Sequence, residues 1–194
     1  MTMTSLDAAQ IQRITANWSA LAARADHFFG QVLASQRAHM QCGPGCDACC
    51  RQDLALCTLE AFVLLTGLDQ LPPDQRASSA RAAKHGAPPC ALLGDGGRCV
   101  AYEHRPIICR THGLPILYQE QGSEQGSLSV CHLNFTSDDP PADAVLNGGV
   151  LSAGLAVADG LARQELALVP GDDRVTVSAL VAHGWDSFPG GPPS

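Results

Sequence analysis

Four thiols within nine residues, Cys42, Cys46, Cys49 and Cys50, constrain this chain more than any other feature. Thiols crowded this closely call for a metal or a disulfide framework to hold them. Their spacing of four, three and one residues would line all four along one stripe of an ideal helix. The intervening Gly43-Pro44-Gly45 opposes that, because glycine is flexible and proline has no N–H to donate. The reading is a tight loop from Cys42 to Cys46, then a helical turn carrying Cys49 and Cys50. Backbone N–H groups of such a loop, aimed at the sulfurs, favour thiolate over thiol.

Disulfides fit less well than metal. The cysteine count of nine is odd. Residues 1–10 lack the basic-then-apolar pattern of a signal peptide, so the expected compartment is the cytoplasm, where thiols stay reduced. The formal net charge of −7 and the absence of a basic run argue against a nucleic-acid partner. The longest apolar stretch, near Val150–Val157, is too short to span a bilayer, so no membrane partner is expected. At 194 residues the chain is expected to form one domain with a real core.

Around the thiols the pattern is mainly helical. Ile11, Ile14, Trp18, Leu21, Ala25, Phe28 and Val32 recur in steps of three and four, predicting a helix over 5–35 with Ser5 as its cap and a bend or end at Gly30. This helix is expected to pack on its own domain, with a homodimer or protein partner through the same stripe as the alternative. Residues 58–67 read as a buried helix capped by Thr58 and stopped near Gly67. Pro72-Pro73-Asp74 opens another, with Gly86 as its stop. Residues 142–168 read as one long helix or two, interrupted at Gly148-Gly149, and 176–183 as a short helix closed by Gly184. The tail from Phe188 is expected to be disordered.

A second thiol segment runs from Cys90 to Cys109. Gly94-Asp95-Gly96-Gly97 is a turn that would bring Cys90 and Cys99 together. Val100 and Tyr102 suit a short strand, and Pro106 opens a helical turn holding Cys109. Runs at 115–118 and 127–131 predict a hairpin that would return Cys131 toward Cys109. Cys42, Cys46, Cys49, Cys50, Cys90, Cys99, Cys109 and Cys131 are thus eight candidate metal ligands. Thiolates suit zinc, Cu(I) and iron–sulfur clusters. Eight could fill two four-sulfur sites, or four could bind while the rest stand by. Cys57, before the apolar helix, is read as a buried spare.

These residues resemble the YkgJ-type cysteine-cluster proteins, a family named for zinc or iron chelation. The resemblance rests on the Cys42-x3-Cys46-x2-Cys49-Cys50 knot, Glu60, and Cys90-Ala-Leu-Leu. It continues through Gly97-Arg98-Cys99-Val-Ala-Tyr102-Glu103-x-Arg105-Pro106-x-x-Cys109-Arg110 and ends at Cys131. It implies metal chelation by the cysteines and no settled biochemical role. Arg51, Arg98, Arg105 and Arg110 could offset the charge of a thiolate centre. Glu60 could accept from a loop N–H or simply favour a helix start. His104, His112 and His132 are read as surface residues rather than ligands.

Cys42-x3-Cys46-x2-Cys49 also has the spacing of radical S-adenosylmethionine enzymes, but this chain is too short and too helical for their β/α barrel. No phosphate loop or nucleophile elbow occurs, and the thiols are assigned to metal rather than to nucleophilic catalysis. The expected fold is mainly α: a single small domain with one or two short β-hairpins around a cysteine-ligated metal centre. Residues 1–39 form the packed N-terminal helix, 40–135 the metal-binding region, 136–187 the C-terminal helices, and 188–194 the tail. The expected function is chelation of zinc or iron, the latter as an ion or an iron–sulfur cluster. A redox or accessory iron–sulfur protein is the alternative, and metal storage or delivery a weaker one. An enzyme is not the favoured reading.

Overall fold

Helix α2 (Thr58–Asp69) is the hub of the fold, with Leu59, Phe62, Leu64 and Leu65 essentially inaccessible. A helix apolar on every side must be covered on every side. The computed structural model, which describes residues 6–85, 89–119 and 126–191, shows what covers it. Helices α1 (Ala8–Ser35), α5 (Gly148–Glu165) and α6 (Val177–His183) pack against it, as does a single 3-10 turn at Tyr102–His104. The fold is mainly α, with short strands in small sheets.

Neither end of α2 lies where its own residues suggest. Thr58 is not the cap but the first helical residue, and its hydroxyl accepts from the buried Arg163 guanidinium. The free N–H of Leu59 is satisfied from another helix, by the Asp159 carboxylate of α5 at 2.7 Å. Gly67 does not stop the helix. A Cβ there would lie 2.3 Å from the His104 ring, so its glycine serves close packing.

In α1, Asp7 forms a capping box with Gln10, and the helix runs through Gly30 to Ser35. Ser5 lies outside the described residues. Ile14, Trp18 and Ala22 are buried in one core with residues of α2, α5 and α4 (Ile107–Thr111), Ala25 is buried too, and Val32 enters a second core, so the apolar stripe is used inside the same chain. Arg13 meets Glu165 at 3.0 Å while Leu21 sits over Gly154, which makes α1 and α5 antiparallel. Helix α3 (Pro73–Lys84) begins as expected and packs on α6; Gly86 is outside the described residues.

Strands β1 (Ala55–Leu56) and β7 (Val175–Thr176) pair antiparallel and tie the start of α2 to the start of α6. Strands β2 (Leu93–Gly94) and β3 (Arg98–Cys99) form the hairpin expected at the glycine turn. Its second strand is Arg98–Cys99, and Tyr102 belongs to the 3-10 turn instead. Strand β4 (Ile116–Gln119) pairs antiparallel with β5 (Gly126–Ser129) and parallel with β6 (Leu146–Asn147). The β6 pairing holds the chain extended up to Asn147. The helix anticipated from 142 therefore starts only at Gly148, with Asn147 accepting from the Val150 N–H.

Helix α6 is capped by Thr176 and ends at Gly184, whose φ is +58°. Beyond it Trp185 and Phe188 pack edge-on against Phe62, with centroids 5.6 and 6.3 Å away. Phe188, read as the start of a tail, is therefore core; residues 192–194 are outside the described residues. A smaller second core gathers Val32, Met40, Leu114, Ile116 and Ala144. The thiols border both cores, Cys42 against the small one and Cys90 and Cys99 against the large one.

Candidate metal centre

The first thiol segment is two consecutive turns. Cys46 N–H donates to Gly43 C=O at 3.0 Å, and Cys50 N–H to Asp47 C=O at 2.8 Å. Cys49 and Cys50 thus sit in a hydrogen-bonded turn, not the helical turn expected from spacing. The second segment is fastened to the first by the backbone. Cys90 N–H donates to Cys50 C=O at 2.8 Å. At the other edge Gly97 (φ +71°) approaches Gly45 (φ +88°) so closely that a Cβ on Gly97 would lie 2.9 Å from the Gly45 carbonyl oxygen. The two glycine turns noted in the sequence meet each other.

Cys109 stands on α4, a five-residue helix that follows Pro106. Its first N–H, of Ile107, donates to Glu60 Oε1 at 2.8 Å. Glu60 is 3% exposed, and the Cys57 thiol donates to its other oxygen. Burial raises the Glu60 carboxyl above the usual carboxylate range. Arg110, also buried, donates to the carbonyls of Arg105 and Glu103 and to Asp26 of α1, and lies 5.0 Å from the Trp18 ring. It staples the Tyr102–His104 turn to α1 and touches no thiol among these contacts.

Charge relations sort the eight thiols into two neighbourhoods. Cys49 influences Cys50, Cys90, Cys99 and Cys109, which arrive from three separate stretches of chain. Hydrogen bonding with Cys50 lowers the Cys49 thiol to about 6, aided by the Arg105 charge, and the same contact pushes Cys50 up. Burial raises Cys90 and Cys99. Burial, then the neighbouring thiols, pushes Cys109 up to about 12. Cys42 instead feels Cys46 and Cys131, with Cys49 more weakly. Cys131 stands in the Cys42 neighbourhood, linked to it through Asn134, which bonds both the Cys131 carbonyl and the Cys42 sulfur. The chain turns sharply after β5, with Asn134 N–H on Cys131 C=O at 2.8 Å.

Asn134 escaped sequence reasoning. It is 3% exposed and every polar atom of its amide has a named role. Its Nδ2 donates to Cys42 Sγ at 3.2 Å and to Gly113 C=O at 2.7 Å, and its Oδ1 accepts from Gln41 N–H at 2.8 Å. A lone asparagine three residues past the last motif thiol carries no signal in spacing or hydropathy.

The flanking charges differ in use. Arg105 stacks 3.6 Å over Tyr102 and lends positive charge to Cys49, Cys99 and Cys109. Arg51 pairs with Asp47 at 3.0 Å, and Arg98 is exposed on β3. His104 is half-buried against Gly67 rather than a surface residue, His112 is half-buried, and His132 is exposed. Burial lowers the basicity of His104 and His112. Cys57 is buried at the start of α2.

As the side chains stand, no group of three or more His, Cys, Asp or Glu among the described residues is arranged to hold a metal ion. The donor set nevertheless fits a soft metal in its chemistry: thiols from several segments, neighbours of one another, with a guanidinium beside them. The thiols are gathered but not closed on a point.

Residues 41–129 match the family model CxxCxxCC, described as "Putative zinc- or iron-chelating domain". Over this segment, which is less than half of the chain, the protein is similar to the CxxCxxCC family. The match covers both glycine turns, Glu60 and Arg110, and stops just short of Cys131 and Asn134. No curated protein and no solved structure matches the chain. Among the described residues, no helix is long and apolar enough to cross a membrane.

Proposed function

We propose that the CxxCxxCC segment chelates zinc or iron through thiolates drawn from Cys42, Cys46, Cys49, Cys50, Cys90, Cys99, Cys109 and Cys131. One observation carries the reading. The backbone itself ties the thiol segments together: Cys90 N–H bonds Cys50 C=O at 2.8 Å and Gly97 lies against Gly45, so thiols from the first loop and from the Cys90–Cys99 hairpin are neighbours, and ionising them is disfavoured by the hydrogen bond with Cys49 at Cys50 and by burial at Cys90, Cys99 and Cys109. Four such thiols kept mutually close and uncompensated are unfavourable; a divalent cation or a cluster removes the cost by taking their charge.

Bound metal would supply a positive centre and, if it is iron, a one-electron couple. The protein's part is to present sulfurs. The Cys50–Cys90 backbone bond and the Gly45–Gly97 approach hold the two thiol loops together. Glu60 fixes the turn that bears Cys109, and Arg105 offsets thiolate charge. Closure requires rotation of side chains on a scaffold that is already tied.

Purification under anaerobic conditions, followed by elemental analysis and an absorption spectrum, tests this. A colourless protein with stoichiometric zinc supports a structural ion. A brown protein absorbing near about 400 nm supports iron–sulfur ligation and opens the redox reading. A protein with all thiols reduced and free, which takes up neither zinc nor iron on reconstitution, overturns chelation.

A further inference from the structure

We propose that Asn134 is a positioning residue for the Cys42 sulfur, so that the metal centre extends beyond the matched segment into the turn formed by residues 131–134. This rests on the chelation reading above and adds to it a residue that neither the motif nor the family match contains. The geometry is that of a built contact. The amide is buried, and its two anchoring bonds, from Gln41 N–H at 2.8 Å and to Gly113 C=O at 2.7 Å, fix its plane independently of the sulfur. With that plane fixed, the remaining Nδ2 hydrogen is aimed at Cys42 Sγ, 3.2 Å away.

The backbone at Gly113 closes on the sulfur as well. A Cβ on Gly113, whose φ is +104°, would lie 2.6 Å from Cys42 Sγ. One wall and one donor thus select a single position for this thiol. The same asparagine starts from the turn that brings Cys131 into the Cys42 neighbourhood, since its own N–H closes on Cys131 C=O. An N–H donor to a thiolate ligand withdraws electron density from sulfur, and outer-shell partners of this kind typically change metal affinity about 10- to 100-fold.

The test uses the full-length protein loaded with Co(II), whose sulfur-to-metal charge-transfer absorption reports on each thiolate. Asn134→Asp keeps the shape but removes the donor to sulfur. It should move the charge-transfer band to lower energy and weaken Co(II) affinity about 10- to 100-fold in competition with a chelator. In a Cys42→Ser background the same substitution should produce no further band shift, because the donor acts only through that sulfur. Should Asn134→Asp fail to fold, Asn134→Ser supplies the same comparison. A wild type that gives the charge-transfer band, with the band unmoved in both Asn134 variants, overturns this inference and leaves chelation standing. A further shift in the Cys42→Ser background overturns it too. A wild type that takes up no Co(II) or zinc overturns both.

Discussion

The N–H of Ile107 ends on the buried Glu60 carboxylate, 2.8 Å away, and this single bond joins the core helix to the turn that carries Cys109. Glu60→Gln retains an acceptor for that N–H and should cost little. Glu60→Ala leaves a buried donor without a partner and a small void, and should cost about 2–4 kcal/mol. Urea denaturation of the reduced, metal-free forms measures both. If the Ala variant is as stable as the Gln variant, the bond does not support the fold.

The same carboxyl predicts a pH dependence. Burial raises its native pKa, opposed by the bonds from Ile107 and Cys57 and by the charge of Arg174. A raised native value means that the folded state holds the proton more tightly than the unfolded one. Its contribution is fully present below the ordinary carboxylate value and is lost as pH rises through the native value. Stability of the metal-free protein should therefore decline over that interval, and the decline should flatten in Glu60→Gln. Denaturant midpoints of the two proteins at a series of pH values decide it, and parallel curves would contradict the assignment.

Arg110 carries a different load. Its guanidinium is buried and satisfied by two backbone carbonyls and Asp26. Lysine cannot reproduce a planar fork with several partners. Arg110→Lys should destabilise by about 2–4 kcal/mol through the orphaned contacts. Asp26→Ala should cost at most about 1 kcal/mol, because that carboxylate is half-exposed and its loss leaves the two carbonyl bonds in place. Equal effects in thermal melts of the two variants would mean that the ion pair, not the carbonyl bonds, is what matters.

Much of this was readable in advance, and for physical reasons. Gly94–Gly97 can only turn, Pro106 starts a helix because it needs no N–H partner, and an apolar run such as 58–68 has to be buried. What could not be read was set by partners far along the chain. The cap of α2 is Asp159, from 100 residues away. Gly67 looks like a stop until His104 is laid across it. The nearness of Cys131 to Cys42 could not be read either, because the turn after β5 is tied by Asn134, whose three partners lie in distant segments. Phe188 looked like tail because Pro and Gly follow it, and Phe62 and Trp185 claim it for the core.

Cys57 separates a spare thiol from the candidate ligands. It is buried, hydrogen-bonded to Glu60, and pushed up by burial and by that carboxylate's charge, an environment that disfavours thiolate. Cys57→Ala should leave metal per chain unchanged and cost about 1 kcal/mol. Cys46→Ser and Cys109→Ser should lower metal content and melting temperature together, because structural metal contributes folding energy. Chelator treatment of the wild type should loosen the thiol loops in the same way, seen as faster hydrogen exchange at residues 42–52 and 89–110. Loss of metal from Cys57→Ala equal to that of the other two would place Cys57 among the ligands.

The sharpest test of the two-loop arrangement uses neighbouring glycines as each other's control. Gly96 and Gly97 share the same left-handed φ, +72° and +71°. An alanine at either pays the same left-handed strain, about 1 kcal/mol. Their surroundings differ. Nothing lies within 4 Å of a Cβ on Gly96, whereas a Cβ on Gly97 would meet the Gly45 carbonyl oxygen at 2.9 Å and its Cα at 3.2 Å. Neither neighbour is a flexible side-chain end, so Gly97→Ala must move the Cys42–Cys46 loop away from the Cys99 hairpin. Gly96→Ala should thus show strain alone, with metal content and affinity kept. Gly97→Ala should show the strain, an added loss of stability and a clear fall in metal affinity, because two segments that supply thiols no longer sit at one distance. Measuring zinc affinity by chelator competition in the pair isolates the loop contact from the backbone effect. Equal affinities would show that the approach of Gly45 to Gly97 has no part in gathering the thiols.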